Sequence, residues 1–158
     1  MRQRVLRIGV LVATLFLINV IARLVARLAY GDGTAEHLAA QERLAWLGWA
    51  SVALVMAVAA WWWGRQRTPG EVATDLSFGA ATAGLLYVTV GPFISGPPRF
   101  EEGLGGSIIL LTIYLGVAGV GALLGMLLLI ALGRDHTSRA LRSYAQARST
   151  RPHRPVRR

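Results

Sequence analysis

Residues 43–65 read RLAWLGWASVALVMAVAAWWWGR, an uncharged run closed by Arg43 and Arg65, with Trp46 and Trp49 near one end and Trp61, Trp62 and Trp63 at the other. Tryptophan prefers the headgroup level of a bilayer, where its ring is apolar and its N–H stays wet. From Trp46 to Trp63 there are 18 residues. As a helix they measure about 27 Å, close to a hydrocarbon core of roughly 30 Å. The two aromatic ends mark two membrane faces, and residues 44–64 are read as a transmembrane helix.

Three more spans follow from the same arithmetic. Ile8 to Ala22 carries no charge, and the span extends to about residue 29 if Arg23 and Arg27 bury their methylene stems and lift their guanidinium groups to the interface. Thr68-Pro69-Gly70-Glu71 fits a capping box, with threonine at the N-cap, proline at the first helical position and glutamate three residues after the cap. A third span is therefore expected over 72–94, kinked by Pro92 and ended by Gly96-Pro97-Pro98. The uncharged stretch from Gly103 to Gly133 exceeds one crossing, so its glycine-rich start is read as loop and the fourth span as 107–132.

Composition supports the same class. Of 158 residues, 54% are hydrophobic, and the mean hydropathy is +0.47, more apolar than a water-soluble domain requires. Four spans occupy so much of the chain that no separate soluble catalytic domain fits. The expectation is an all-α integral membrane bundle over 1–133 and a basic, partly disordered tail over 134–158, with a short amphipathic helix from His136 to Arg148.

Charge sets the orientation, because lysine and arginine in short loops are retained on the cytoplasmic side. All 17 basic residues are arginine, against eight acids, for a formal net charge of +9. Thirteen of them, including Arg2, Arg4, Arg7, Arg65, Arg67 and the eight of the tail, fall on one side, against at most four on the other. Both termini are therefore placed in the cytoplasm, in an inner, cytoplasmic membrane. A competing reading takes residues 1–22 as a signal peptide ending in Val20-Ile21-Ala22, which leaves three spans and an outside N-terminus.

The chemistry available is limited. Cysteine is absent, which removes disulfides, thiolate metal sites and cysteine nucleophiles. His37, His136 and His153 are scattered, Glu36-His37 reads as a solvated loop pair, and no hydrolase, metalloprotease or phosphate-loop motif is present. No enzyme activity, cofactor or metal is expected.

Four groups of residues remain as candidates. Asn19, Arg23 and Arg27 are spaced by four and form one polar stripe on a helix. The stripe suits an anion or headgroup site; alternatively its arginines snorkel and pair with Asp32, Glu36, Glu101 or Glu102. Asp75 lies early in the third helix, as an interfacial acid facing Arg65, Arg67 or Arg134, or as a proton relay. Gly121 with Gly125, and Ala80 with Gly84, have the spacing that lets helices approach closely, within one chain or in a homo-oligomer. Arg134, Arg139, Arg142 and Arg148 are expected to touch anionic lipid headgroups in preference to nucleic acid. The reading that asks least of these residues is an accessory subunit docked on other membrane proteins. The alternative is a small channel or transporter with an anion site at Arg23 and Arg27 on the outer side.

Overall fold

The structure, a computed structural model, describes residues 2–30, 35–91, 93, 103–134 and 136–149; within these, the side chains of 27, 29–30, 35–39, 41, 103–104, 137 and 147–149 fall outside the description. Five helices follow one another: α1 Arg2–Tyr30, α2 Ala35–Gly64, α3 Pro69–Thr89, α4 Gly103–Ala131 and α5 His136–Ser149. Among the described residues there is no strand, so the fold is all-α. Segments of α1 (Arg2–Ala26), α2 (Glu42–Gly64) and α4 (Gly105–Ala131) are long and apolar enough to cross a membrane, the signature of a multi-pass membrane protein. The 21-residue α3 is long enough but less apolar, since it carries Glu71, Thr74 and Asp75 and is rich in glycine and alanine.

Helix boundaries depart from the expected spans in one direction at their starts. α1 begins at Arg2 rather than 8, and α2 at Ala35 rather than 44, so Glu36 and His37 lie on a helix and not in a loop. α4 includes Gly103, Gly105 and Gly106, which were read as loop. The residues added to α1 and α2 are largely polar but include strong helix formers such as Arg4, Leu6, Ala35, Leu38, Ala39 and Gln41, so the helices run on past their apolar cores. α3 starts at Pro69 and closes at Thr89, short of 94. Thr68 is its N-cap, in extended geometry, but makes no side-chain cap bond. The capping box is thus not formed; Val72 N instead donates to the Thr68 carbonyl at 3.2 Å. Residues 150–158 of the tail lie outside the described residues.

Two parallel helix pairs make the bundle. α1 and α3 run side by side in the same sense, with Arg4 at Asp75, Leu11 at Gly79 and Arg23 at Tyr87. α2 and α4 do likewise, with Ala53 at Gly121, Ala57 at Gly125 and Gly64 at Leu129. A Cβ on Gly121 or Gly125 would stand 2.2 Å from the carbonyl oxygen of Ala53 or Ala57, so these backbones meet only because both positions lack side chains. Leu11, Leu15, Val52, Met56, Ala60, Leu76, Ala80 and Ala83 fill the interior, while Leu17, Ile21, Leu54, Leu123, Leu124 and Leu127 face outward. Since Arg4 and Arg67 meet at Asp75, and Gly64 lies beside Leu129, both ends of the helical chain share one end of the bundle.

Candidate functional site

Polar chemistry is concentrated at the two ends of the α1/α3 pair. At the first, Asp75 is 1% exposed although it sits in the second turn of α3. Its two oxygens are divided between two guanidinium groups. Arg4 Nε donates to Oδ1 at 2.7 Å, with Arg4 Nη2 on the same oxygen, and Arg67 Nη1 donates to Oδ2 at 2.7 Å. Charge-assisted bonds of this kind are the strong ones, and they are what makes a buried carboxylate tolerable. Of the three partners foreseen for Asp75, Arg67 is present. Arg65 instead lies over the Trp61 ring at 4.8 Å. The second partner, Arg4, was missed because nothing in local spacing links positions 71 residues apart.

At the other end, the Arg23 guanidinium lies 4.0 Å from the centroid of the Tyr87 ring and against Gly91, where a Cβ would come 3.1 Å from Nη1. Arg23 is thus turned onto the C-terminal turn of α3, where the helix dipole favours a cation. Tyr87 stacks on Tyr114 at 5.7 Å, and Trp49 meets both rings edge-on at 6.0 and 6.1 Å. Trp49, read as an interfacial belt residue, is half-buried among these rings; Trp46 and Trp62 are the exposed members of the two belts. The Tyr114 hydroxyl is buried and has no hydrogen-bond partner among the described residues.

Asn19 is buried, and its Nδ2 donates to the Leu15 carbonyl at 2.7 Å within α1. Together with Arg23 it lines a cleft of about 100 Å³ whose other walls are Ala22, Ala26, Ala45, Gly48, Trp49 and Tyr87. The stripe of Asn19 and Arg23 therefore faces protein. Arg27 continues it in sequence on α1, but its side chain lies outside the described residues, as do Asp32, Glu101, Glu102 and the side chain of Glu36.

The remaining candidates are placed as follows. Gly121 and Gly125 pack on α2 within the chain, Ala80 is in the core, and Gly84 lies against Leu111 and Tyr114 of α4. Arg134, Arg139 and Arg142 are exposed, and Arg148 is on α5 with its side chain outside the described residues. No group of three or more histidine, cysteine, aspartate or glutamate residues that suits a metal occurs among the described residues. Comparison with protein-family models, curated proteins and solved structures finds no match to this chain.

Proposed function

We propose that the chain is a four-span accessory subunit of a larger membrane assembly, without enzymatic activity, threaded with both termini in the cytoplasm and with its tail helix on an anionic leaflet. The observation that carries this reading is the state of Asp75. This buried carboxylate is saturated by Arg4 and Arg67, so it joins α1, α3 and the α2–α3 turn and leaves no oxygen poised for proton transfer. Beyond it, most buried side chains among the described residues are apolar, Leu11, Leu15, Val52, Met56, Leu76 and Ala80 among them, and Asn19 and the Tyr114 hydroxyl are the exceptions, a lining that does not favour ion passage through a single chain.

Support for the fourth span comes from length and company. The 21 residues of α3 make about 31 Å of helix, enough for a crossing. They run beside α1, itself long and apolar enough to span, from its Arg4 end to Arg23. The shared end of the bundle collects Arg4, Arg65, Arg67 and Arg134, the arrangement retained on the cytoplasmic side. There Gly133, with φ 58°, closes α4: Gly133 N donates to Ile130 O at 2.8 Å and Arg134 N to Leu129 O at 3.1 Å. This Schellman turn ends the span abruptly and turns the chain into α5.

Affinity capture of the full chain from membranes in a mild detergent tests the proposal. A reproducible membrane-protein partner, recovered in fixed ratio, is expected. Repeated recovery of this chain alone would reject the accessory role.

A further inference from the structure

α3 and α4 meet closely where Gly84 lies against Leu111 and Tyr114. Toward the Asp75 end an apolar slot of about 510 Å³ opens between them, with Met56 of α2 in its floor. Its α3 wall includes Ala73, Ser77 and Ala81, and its α4 wall Leu115, Gly119 and Leu123. Small residues ordinarily let helices approach closely. Here they border open space instead, and a Cβ on Gly119 would meet nothing within 4 Å.

The slot has the depth of one leaflet. It runs from Val72 to Ala81 on α3 and from Met126 back to Leu115 on α4, about 14 and 17 Å of helix, against about 15 Å for half of a hydrocarbon core of roughly 30 Å. Spread over that length its volume gives a section of about 35 Å², well below the roughly 80 Å² of a helix about 10 Å across. A hydrocarbon chain fits where another helix does not. The chain's own segments are poor occupants: the α3–α4 connection leaves from the opposite end, at Thr89, and residues 150–158 carry four arginines, which an apolar slot at membrane depth disfavours. The lining is uncharged, whereas the end of the bundle beyond Val72 and Met126 carries Arg67 and the exposed Arg134. Uncharged walls beneath a basic rim complement an apolar tail beneath a phosphate-bearing headgroup.

We propose that the α3/α4 slot binds one acyl chain of a phospholipid from the leaflet at the Asp75 end, the cytoplasmic leaflet in the threading proposed above. The site rests on the four-span part of that reading and not on the accessory role, so failure of affinity capture leaves it standing.

Photolabelling of the full chain in phosphatidylglycerol vesicles, doped with phosphatidylglycerol that carries a diazirine midway along one acyl chain, is the test. Neighbours at one depth give the comparison: Leu123 and Ser77 line the slot, while Leu124 and Phe78 are exposed outside it. Leu123 is expected to be labelled severalfold above Leu124, and Ser77 severalfold above Phe78. Gly119→Leu fills the slot from one wall and Ala81→Leu from the other; in folded protein each is expected to bring the Leu123 and Leu124 signals to equality. Even labelling in the native chain would overturn the proposal, as would a preference for Leu123 that survives both variants. Protection of Leu123 and Ser77 below their neighbours would also overturn it, because protein, a second copy or a partner helix, would then fill the space. Labelling of Leu124 with neither Ser77 nor Phe78 labelled would overturn the fourth span together with the slot.

Discussion

Arg4 and Asp75 stand 71 positions apart and are joined by a 2.7 Å bond from Nε to Oδ1, which ties the first turn of α1 to the second turn of α3. Arg67 takes the other oxygen of the same carboxylate. Because Asp75 has two partners, loss of either is expected to leave it paired. Loss of both leaves a buried charge, with a cost of about 3–5 kcal/mol. Thermal unfolding in detergent should therefore show small effects for Arg4→Gln and Arg67→Gln alone, and a loss exceeding their sum for the double variant. Adding Asp75→Asn to that double variant should recover most of the loss. Additive single effects would contradict the shared clamp.

The α2/α4 contact makes a steric prediction. Gly121→Ala and Gly125→Ala each place a Cβ at 2.2 Å from a carbonyl oxygen of α2, and backbone cannot give way as a flexible side chain does. Each is expected to cost about 1–3 kcal/mol by overpacking. Gly116→Ala meets nothing within 4 Å and is expected to be neutral, or stabilising by up to about 1 kcal/mol through helix propensity. Thermal midpoints of the three variants in one detergent decide it; equal midpoints would mean that the close approach is absent.

At the opposite end the Arg23 guanidinium lies over the ring of Tyr87. Tyr87→Phe is expected to keep the stack and the midpoint, whereas Tyr87→Leu removes the π face and loses about 0.5–2 kcal/mol for the cation–π contact, beyond the loss of ring packing on Tyr114. A Phe variant as unstable as the Leu variant would show that the hydroxyl matters instead.

How much of this was legible depends on the range of each interaction. The run from Arg43 to Arg65 displays its apolarity residue by residue, so α2 could be found without knowing its neighbours. The spacing of Gly121 and Gly125 likewise showed a surface fit for close packing, though not that Ala53 and Ala57 would receive it. Asp75 was visible as a costly residue, yet Arg4 was invisible as its partner, because the link is made by tertiary packing of α1 on α3. Trp49 was misread for a related reason. Its proximity to Trp46 suggested a shared interface role, but Trp49 sits about one turn deeper and roughly 60° round the helix, where its ring meets Tyr87 and Tyr114 while Trp46 stays exposed. The helical start of α4 at Gly103 ran against glycine's low helix propensity, which is all that a local reading of Gly103, Gly105 and Gly106 has to go on.

The tail helix is expected to behave as an interfacial element. Leu141 and Tyr144 are 66% and 74% exposed and three positions apart on α5, with Arg139 on the opposite side of the helix. In phosphatidylglycerol vesicles a maleimide in the water phase should modify Arg139→Cys faster than Leu141→Cys, and high salt should narrow the difference by weakening attraction to the anionic surface. Equal rates in low salt would remove the membrane-surface role of α5.

Threading can be read with single cysteines, since the chain contains none. Gln66 is exposed in the α2–α3 turn beside Arg67, at the end of the bundle shared with Arg4 and the α4–α5 turn. Glu42, exposed near the opposite end of the α2 span, reports the other side. If retention of arginine-rich loops governs insertion, an impermeant maleimide applied to intact cells should label Glu42→Cys and should reach Gln66→Cys only after lysis. The helix pairing makes the two results interdependent: α2 cannot be reversed without carrying α4, whose backbone lies against it, and α1 and α3 are bound to the same end through Asp75. Labelling of Gln66→Cys in intact cells would therefore invert the whole bundle and place its basic end outside.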